Sequence, residues 1–326
     1  MSTTLTDASR TTHQEPGRRL LGGLNWLVVR QHRAALLTLA AVAVLGAGWL
    51  VYQRGRMAQV LEAAGWPDKP LPQPTFSSGG VGLTLTALGM LPVLLAVFLG
   101  APLIAADQEH GTARLVTTQS VSRRRWITAK LAWCYGAVLV AASVLSALFT
   151  WWWKPYRSVF QAHWWEGAIF DNTGPVLPAL CLFLTAAGIT IGLLLRRVLP
   201  AMAVTFVFSM CVELVWERMH SLLAPARMFS YPLDDDLPAR FDEAYELDRW
   251  IGSADGHLYG WGLCAEETEA ASNACVKEHG IVDNVIQYLG FDQMPAMQWT
   301  GAGILLAAAA VLTAFTVWRV SRRPLR

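Results

Sequence analysis

Residues Asn172–Leu195 read NTGPVLPALCLFLTAAGITIGLLL, a stretch without one charged side chain. About 20 apolar residues wound as an α-helix cross the ~30 Å hydrocarbon core of a bilayer, and this stretch has that length and character. Working outward, uncharged runs recur at Ala34–Gln53, Pro70–Ala106, Leu131–Trp153, Val198–Val212 and Gln293–Trp318. The shortest of them, Val198–Val212, is extended beyond Glu213 by Leu214, Val215 and Trp216. Six transmembrane helices are predicted, over 34–52, 83–105, 128–150, 176–195, 198–216 and 299–318. Helices buried in a large soluble core usually offer apolar runs of only about 10–14 residues. Composition agrees with the membrane reading. Charged residues make up 15% of the 326-residue chain and hydrophobic residues 54%, against roughly 25% charged in soluble domains.

The small net charge of +2 conceals a segregation. With the N-terminus placed inside, the inner segments are 1–33, 107–130, 196–197 and 319–326. They hold 16 Lys/Arg against four acids (Asp7, Glu15, Asp107, Glu109), a net +12. The outer segments hold 10 bases and 20 acids, a net −10. Short loops on the cytoplasmic side of a membrane carry excess Lys and Arg, so both termini are expected in the cytoplasm of a multi-pass plasma-membrane protein. Arg54 and Arg56 are a local exception just outside span one, with side chains long enough to reach outer headgroups. Trp49, Trp151–Trp153, Trp164 and Trp165 fall at the outer boundary and Trp26 and Trp126 at the inner, the layer that indole rings favour. The WWW run is thereby read as an anchor, with ligand stacking as the alternative.

Glu15 and five arginines precede the first apolar run, with no short apolar core near the start, so residues 1–33 do not read as a secretory signal. In LLGGLNWLVVRQHR (20–33), Leu20, Leu21, Leu24, Leu27 and Val28 lie near one helical face and Arg30, His32 and Arg33 at the polar end. This predicts an interfacial helix feeding span one; the alternative is a simple amphipathic start to that span.

Residues 218–298 form the one sizeable segment outside the membrane, with 14 acids and five bases. FDEAYELDRW (241–250) reads as a helical turn or two, with Asp234–Asp236 as capping material before it. IVDNVIQYLGF (281–291) places Ile281, Val282, Val285, Ile286 and Leu289 at helical spacing. A mainly helical cap over spans five and six is expected, so the fold class is all-α. The Asp triplet suits a solvated helix start better than a cation site. Cys134, Cys181 and Cys211 lie within spans and behave as small apolar residues. Cys264 and Cys275 both lie in the external segment, where a disulfide fits an oxidising compartment. His257 and His279 stand nearby without a recognised zinc spacing, so no metal is assigned. The organisation expected is a cytoplasmic N-terminus with interfacial helix (1–33), spans one to five (34–217) with an inner loop at 107–126, an extracytoplasmic segment (218–298), then span six and a basic tail (299–326).

That inner loop carries the most specific string, GAPLIAADQEHGTARLVTTQSVSRRRWITAKL at 100–131. Asp107, Gln108 and Glu109 open a polar stretch as span two leaves the membrane. Gly111 and Thr112 suit a turn and cap for a short helix at Ala113–Gln119. Arg123–Arg125 and Lys130 are expected to hold the entry into span three at anionic headgroups. The string resembles the ABC type-2 permeases, whose second span ends in an acidic E-x-G-T element followed by a Q/P-V-S-R turn and a basic entry to span three. Glu109, Gly111, Thr112, Gln119, Ser120, Val121, Ser122, Arg123, Trp126 and Lys130 stand at matching places. NWLVVRQHRAALL (25–37) also looks like the helix leading into the first span of actinobacterial members. The external segment departs from the family in being longer and more acidic.

The resemblance implies that residues 107–122 form a coupling element that docks on a separate ATP-binding subunit, with Asp107, Glu109, Gly111, Thr112, Gln119, Ser122 and the adjoining Arg123 as its site residues. The 20–33 helix would add a second contact. Glu109 would pair with a base on that subunit or cap the local turn. A second permease subunit is also implied. No G-x-x-x-x-G-K-[ST] occurs and none of the four lysines follows a glycine. A P-loop needs that lysine on the phosphates, so ATP and Mg are expected on the partner, no cofactor on this chain, and no nucleic acid as partner. Within the spans the ionisable groups are Glu213 and Glu217, four apart on one helix. Intramembrane carboxylates are pathway candidates; local pairing, as with Arg218, is the structural alternative. No G-x-S-x-G or H-E-x-x-H string supports an intramembrane enzyme. A membrane sensor binding a ligand through its external segment is the other class to separate from an exporter subunit.

Overall fold

A computed structural model describes residues 24–69, 79–111 and 122–322. Six helices among them are long and apolar enough to cross a membrane. The chain is a multi-pass membrane protein. A short helix α1 (Leu24–Gln31) precedes the first span, α2 (Arg33–Ala63). Val28 of α1 is buried, and α1 packs against both α2 and the third span. The second span is interrupted: α3 (Gly79–Leu95) passes through a π-turn at Ala96–Gly100 into α4 (Pro102–Glu109). Pro102 lacks the N–H that a continuous α-helix would use there. The chain widens instead, and Ala101 N donates to Ala96 O at 2.8 Å, five residues back.

The third span is α5 (Arg123–Tyr156); a single turn, α6 (Gly167–Phe170), then leads to the fourth, α7 (Val176–Leu195), and the fifth, α8 (Val198–Met219). α7 is the hub: 83% of its most apolar window is buried, against 11% for α2 and 17% for α8. Small residues let the interrupted second span approach α7 closely. A Cβ on Gly188 would sit 2.5 Å from Ala96 O, one on Gly100 would sit 2.7 Å from Thr185 O, and one on Gly192 would run into Ala101 O. Backbones in contact at such spacing gain dispersion energy that larger side chains would forfeit.

The membrane bundle is all-α as expected, and the cap corrects one part of that expectation, a mainly helical external segment. Residues 227–289 form a four-stranded antiparallel sheet ordered β1-β4-β2-β3, where β1 is Arg227–Pro232, β2 Tyr245–Ser253, β3 Leu258–Gly260 and β4 Ile281–Leu289. The only regular α-helix in this segment is α9 (Glu269–Glu278), capped by the Thr268 hydroxyl. IVDNVIQYL, read as helix, is the central strand, pairing Ile286 with Phe229 on one side and Val285 with Trp250 on the other. FDEAYELDRW is a 3-10 turn leading into β2. The physical reason is that apolar residues at i, i+1, i+4, i+5 and i+8 fit a helical face and also a strand covered on both sides. The β-branched Ile281, Val282, Val285 and Ile286 favour the strand, where their stiff side chains pack on a pleated surface. Asp234–Asp236 sit at the turn after β1 and cap no α-helix. Cys264 and Cys275 are disulfide-bonded, with Cα atoms 5.5 Å apart, and close one of the two small cores of the cap, around Ile251 and Ile281.

The last span is α10 (Met294–Arg322). The cap rests on the link after α5: Trp164 Nε1 donates to Glu243 O at 2.7 Å, Arg157 pairs with Glu243 at 3.0 Å, and Trp165 stacks on Tyr245 at 5.1 Å. The anchoring role read for the tryptophans is corrected in part. Trp152, Trp153 and Trp164 are buried in the core and only Trp151 of the WWW run is exposed. Trp152 Nε1 reaches Met57 Sδ at 3.2 Å and Trp153 packs edge-on to Phe291, because this end of the bundle is roofed by the cap. Arg54 spreads over the outward ring of Trp151, 3.7 Å from its centroid.

Candidate functional site

Thr112 and Gln119, with Ser120, Val121 and the expected helix at 113–119, lie outside the described residues. The structure does describe both ends of their loop, and each end is tied into the bundle. Asp107 is buried on the last turn of α4. Its Oδ1 accepts from Gln31 Nε2 of α1 at 2.8 Å, and its Oδ2 forms an ion pair with Lys130 Nζ of α5. The Lys130 side chain is fully buried and that of Asp107 is 6% exposed. Lys130 also lies over the ring of Trp126, 4.7 Å from the centroid. Lys130 is therefore not a headgroup anchor, which corrects the reading of the basic entry to span three. An ammonium facing a carboxylate on the neighbouring helix is held inside, because leaving either charge alone in a dry interior costs several kcal/mol.

His32, between α1 and α2, sits beside this pair. Burial, and then the Lys130 ammonium, push its pKa down from 6.5 to about 4 against the opposing pull of Asp107. The knot so formed joins α1, α4 and α5.

Glu109, two residues beyond Asp107, points elsewhere. Its Oε2 accepts from Val198 N at 2.7 Å. Val198 is the first residue of α8, so the carboxylate caps a helix 89 residues away in sequence and faces the positive end of its dipole. Arg196 and Arg197 make the tight reversal from α7 to α8, Arg196 with φ +61°. Gly111 has φ +70° and open space where a Cβ would stand, the left-handed residue that ends a helix. On the far side of the loop Ser122 caps α5, its hydroxyl accepting from Arg125 N at 3.4 Å. Arg123 begins that helix, half-buried.

The two candidate pathway carboxylates are not brought together. Glu217 is exposed, while Glu213 is half-buried and turned toward Asp171 and Cys181. Glu213 Oε1 has no hydrogen-bond partner among the described residues, and neither glutamate forms an ion pair with Arg218 there. Asp171 takes the hydrogen bond of Trp216 Nε1 at 2.7 Å and lies 3.2 Å from His220 Nε2. Among the described residues no three His, Cys, Asp or Glu side chains converge as metal ligands.

Reasoning from sequence missed Gln31, Asp171, His220 and the Gly188/Gly192 contact. The glycines carry a readable signal, Gly-x-x-x-Gly inside a span. A lone lysine eight residues inside helix α5 was a second signal, since buried lysines need an acid nearby. Gln31 has none, since nothing local distinguishes it from a solvated glutamine.

With this geometry in hand, the chain was compared with known proteins. A family model described as ABC-2 membrane transporter related matches residues 39–220, more than half of the chain. The match ends where α8 gives way to the cap. No curated protein and no solved structure matches.

Proposed function

The chain belongs to the ABC-2 membrane transporter related family, and from that premise we propose that it is the membrane-spanning subunit of an ATP-driven exporter. It works with a separate ATP-binding subunit and a second permease subunit, with both termini in the cytoplasm. The segregation of charge to the end bearing residues 107–130, 196–197 and 319–326 supports that orientation. The weakly buried α2 and α8 offer apolar faces that a second subunit would cover.

The observation that carries the reading is how the ends of the 112–121 loop are fastened. Asp107 ties one end to α1 through Gln31 and to α5 through Lys130; Glu109 ties it to the start of α8. A push on this loop from an ATP-binding subunit would thus reach three helices at once, through one buried ion pair and two hydrogen bonds nearer the surface. Residues 107–123 are the docking element in this reading, and Glu109 acts by holding α8 more than by reaching across to the partner.

The test is affinity purification of the full chain in mild detergent followed by an ATPase assay. We expect an ATP-binding protein to co-purify and its activity to depend on the chain. Replacing 112–121 by a Gly-Ser linker should abolish both while leaving the bundle folded. No co-purifying ATP-binding protein and no chain-dependent ATPase activity would sink the exporter reading. The separately cored, disulfide-closed cap lies outside the family match and favours, as a second reading, an accessory membrane protein that senses a ligand. The same purification separates the two.

A further inference from the structure

Two open grooves lie between helices of the bundle, and they differ in the charge of their walls. One, of about 840 Å³, lies between α2 and α5, is lined by residues such as Leu36, Ala43, Trp133 and Val140, and has no charged side chain in its wall. The other, of about 740 Å³, lies between α5, α7 and α10. Its wall is apolar along Leu182, Leu306, Ala310 and Val317, and it ends on two arginines, Arg124 from the start of α5 and Arg322 from the end of α10.

We propose that this second groove holds one phospholipid with an anionic headgroup, its phosphate between Arg124 and Arg322 and an acyl chain along the α10 wall.

Three observations select that occupant. The arginines come from two helices far apart in sequence, one at the start of α5 and one at the end of α10, yet line one groove. Among the described residues neither forms an ion pair with an acid of the protein. A guanidinium fork matches phosphate oxygens in a way an ammonium does not. Second, the dimensions fit one leaflet. From Leu306 to Trp318 the helix rises about 18 Å at 1.5 Å per residue, against about 15 Å for half a hydrocarbon core. Third, Trp318 stands beside Arg322, whose guanidinium lies 5.9 Å from its ring centroid, so the groove changes from apolar to cationic at the depth where indoles mark the headgroup layer. The polar groups inside it are already satisfied: Tyr135 OH meets Thr313 Oγ1 at 3.0 Å, and that hydroxyl reaches Ala309 O at 2.7 Å. Nothing within the wall would repel an acyl chain. This site goes beyond the transport reading and does not depend on it; it requires only that the bundle sits in a membrane.

The test uses the purified full chain in mixed micelles of detergent with phosphatidylglycerol or phosphatidylcholine, read by native mass spectrometry. One phosphatidylglycerol per chain should survive desolvation, in preference to phosphatidylcholine. Arg124→Gln with Arg322→Gln should lower its retention by on the order of tenfold or more, since each basic residue near an anionic surface contributes about 1 kcal/mol. Ala310→Trp, which fills the apolar part, should lower it while leaving both arginines in place. The control pair Arg125→Gln with Arg319→Gln removes the same charge from residues outside the groove and should change nothing. Size-exclusion profiles establish that each variant is folded. An equal loss in the control pair would mean general attraction to headgroups and would overturn the site. So would equal retention of both lipids, or an Ala310→Trp variant that changes the number of chains per particle without changing the lipid count, which would make the groove a contact between copies.

Discussion

Breaking the Asp107–Lys130 pair isolates the central contact of the site, and the structure allows its size to be worked out. Lys130→Met nearly conserves side-chain volume, so the loss is electrostatic and not a cavity. Asp107 would keep its hydrogen bond from Gln31 but would face an apolar neighbour where an ammonium stood. Removing one partner of a buried pair typically costs about 3–5 kcal/mol, because the other charge is left uncompensated. Asp107→Leu strands the fully buried ammonium of Lys130 and should cost about as much again. The double variant Asp107→Leu/Lys130→Met removes both charges at once; replacement of such pairs by apolar residues is often neutral or stabilising. The cycle therefore predicts two unstable single variants and a double variant near or above the parent, a coupling of at least about 6 kcal/mol. At roughly 2 °C per kcal/mol for a large domain, each single variant should lose about 6–10 °C in thermal denaturation in detergent, with recovery in the double. If instead Lys130→Met is as stable as the parent and the double variant falls by the sum of the singles, the pair is hydrated. The knot at the base of the loop then contributes nothing, and the route by which the loop grips α1 and α5 has to be abandoned.

Four further outcomes follow from single contacts. Gly188→Ala places a methyl 2.5 Å from Ala96 O and should lower folded yield and melting temperature sharply, as overpacking costs about 1–3 kcal/mol; Gly136→Ala, with open space around it, should be silent in the same fluorescence size-exclusion assay. Glu109→Gln keeps an acceptor for Val198 N and should cost little, whereas Glu109→Ala should cost about 1 kcal/mol; equal losses in both would show that the charge and not the cap matters. Cys264→Ser should destabilise the cap by about 2–3 kcal/mol through the freed loop, seen as faster proteolysis around 261–275 with the six spans intact; an unchanged cleavage rate argues against it. Because the folded state holds His32 near 4 rather than 6.5, it binds fewer protons than the unfolded chain between those values. This part of the stability is complete above about pH 6.5 and is lost as pH falls toward 4, so His32→Gln should flatten the acid limb of the melting curve, and an unchanged slope would remove the assignment.

What could be read from the amino acids, and what could not, divides along a physical line. Spans were legible because the bilayer imposes a length: a run such as Asn172–Leu195 has few other uses. Their ends were less so, since α2 continues as helix to Ala63, past Arg54 and Arg56, the charges that close its uncharged run. Lys130 and the cap failed for a common reason. The positive-inside count sums charges over a segment, and nothing in the sum marks which of Arg123, Arg124, Arg125 and Lys130 turns inward. That is decided by Asp107, on another helix. Similarly, Ile281, Val282, Val285, Ile286 and Leu289 present two legitimate periodicities, and the choice is made by Phe229 and Trp250, their partners across the sheet. Trp152 and Trp153 would be interfacial in a bundle without a roof. In each case the deciding neighbour is distant in sequence, and local pattern carries no record of it.

The distribution of burial also constrains how the bundle can respond to force on the loop. α4 cannot slide along α7, because the two backbones meet at Gly192 and Ala101 with no side chain between them, and the π-turn meets α7 in the same way at Gly188. Close-packed interfaces of this kind yield by jumping between discrete arrangements, not by gradual shear. The interrupted second span and α7 therefore behave as one body. α2 and α8, whose most apolar windows are 11% and 17% buried, are the spans least covered by the rest of the chain. Both are reached directly from the loop, α2 through α1 and its Gln31 and α8 through Glu109. The polar contacts at the base of the loop thus connect it to the two spans least enclosed by the chain, past the pair that is locked together.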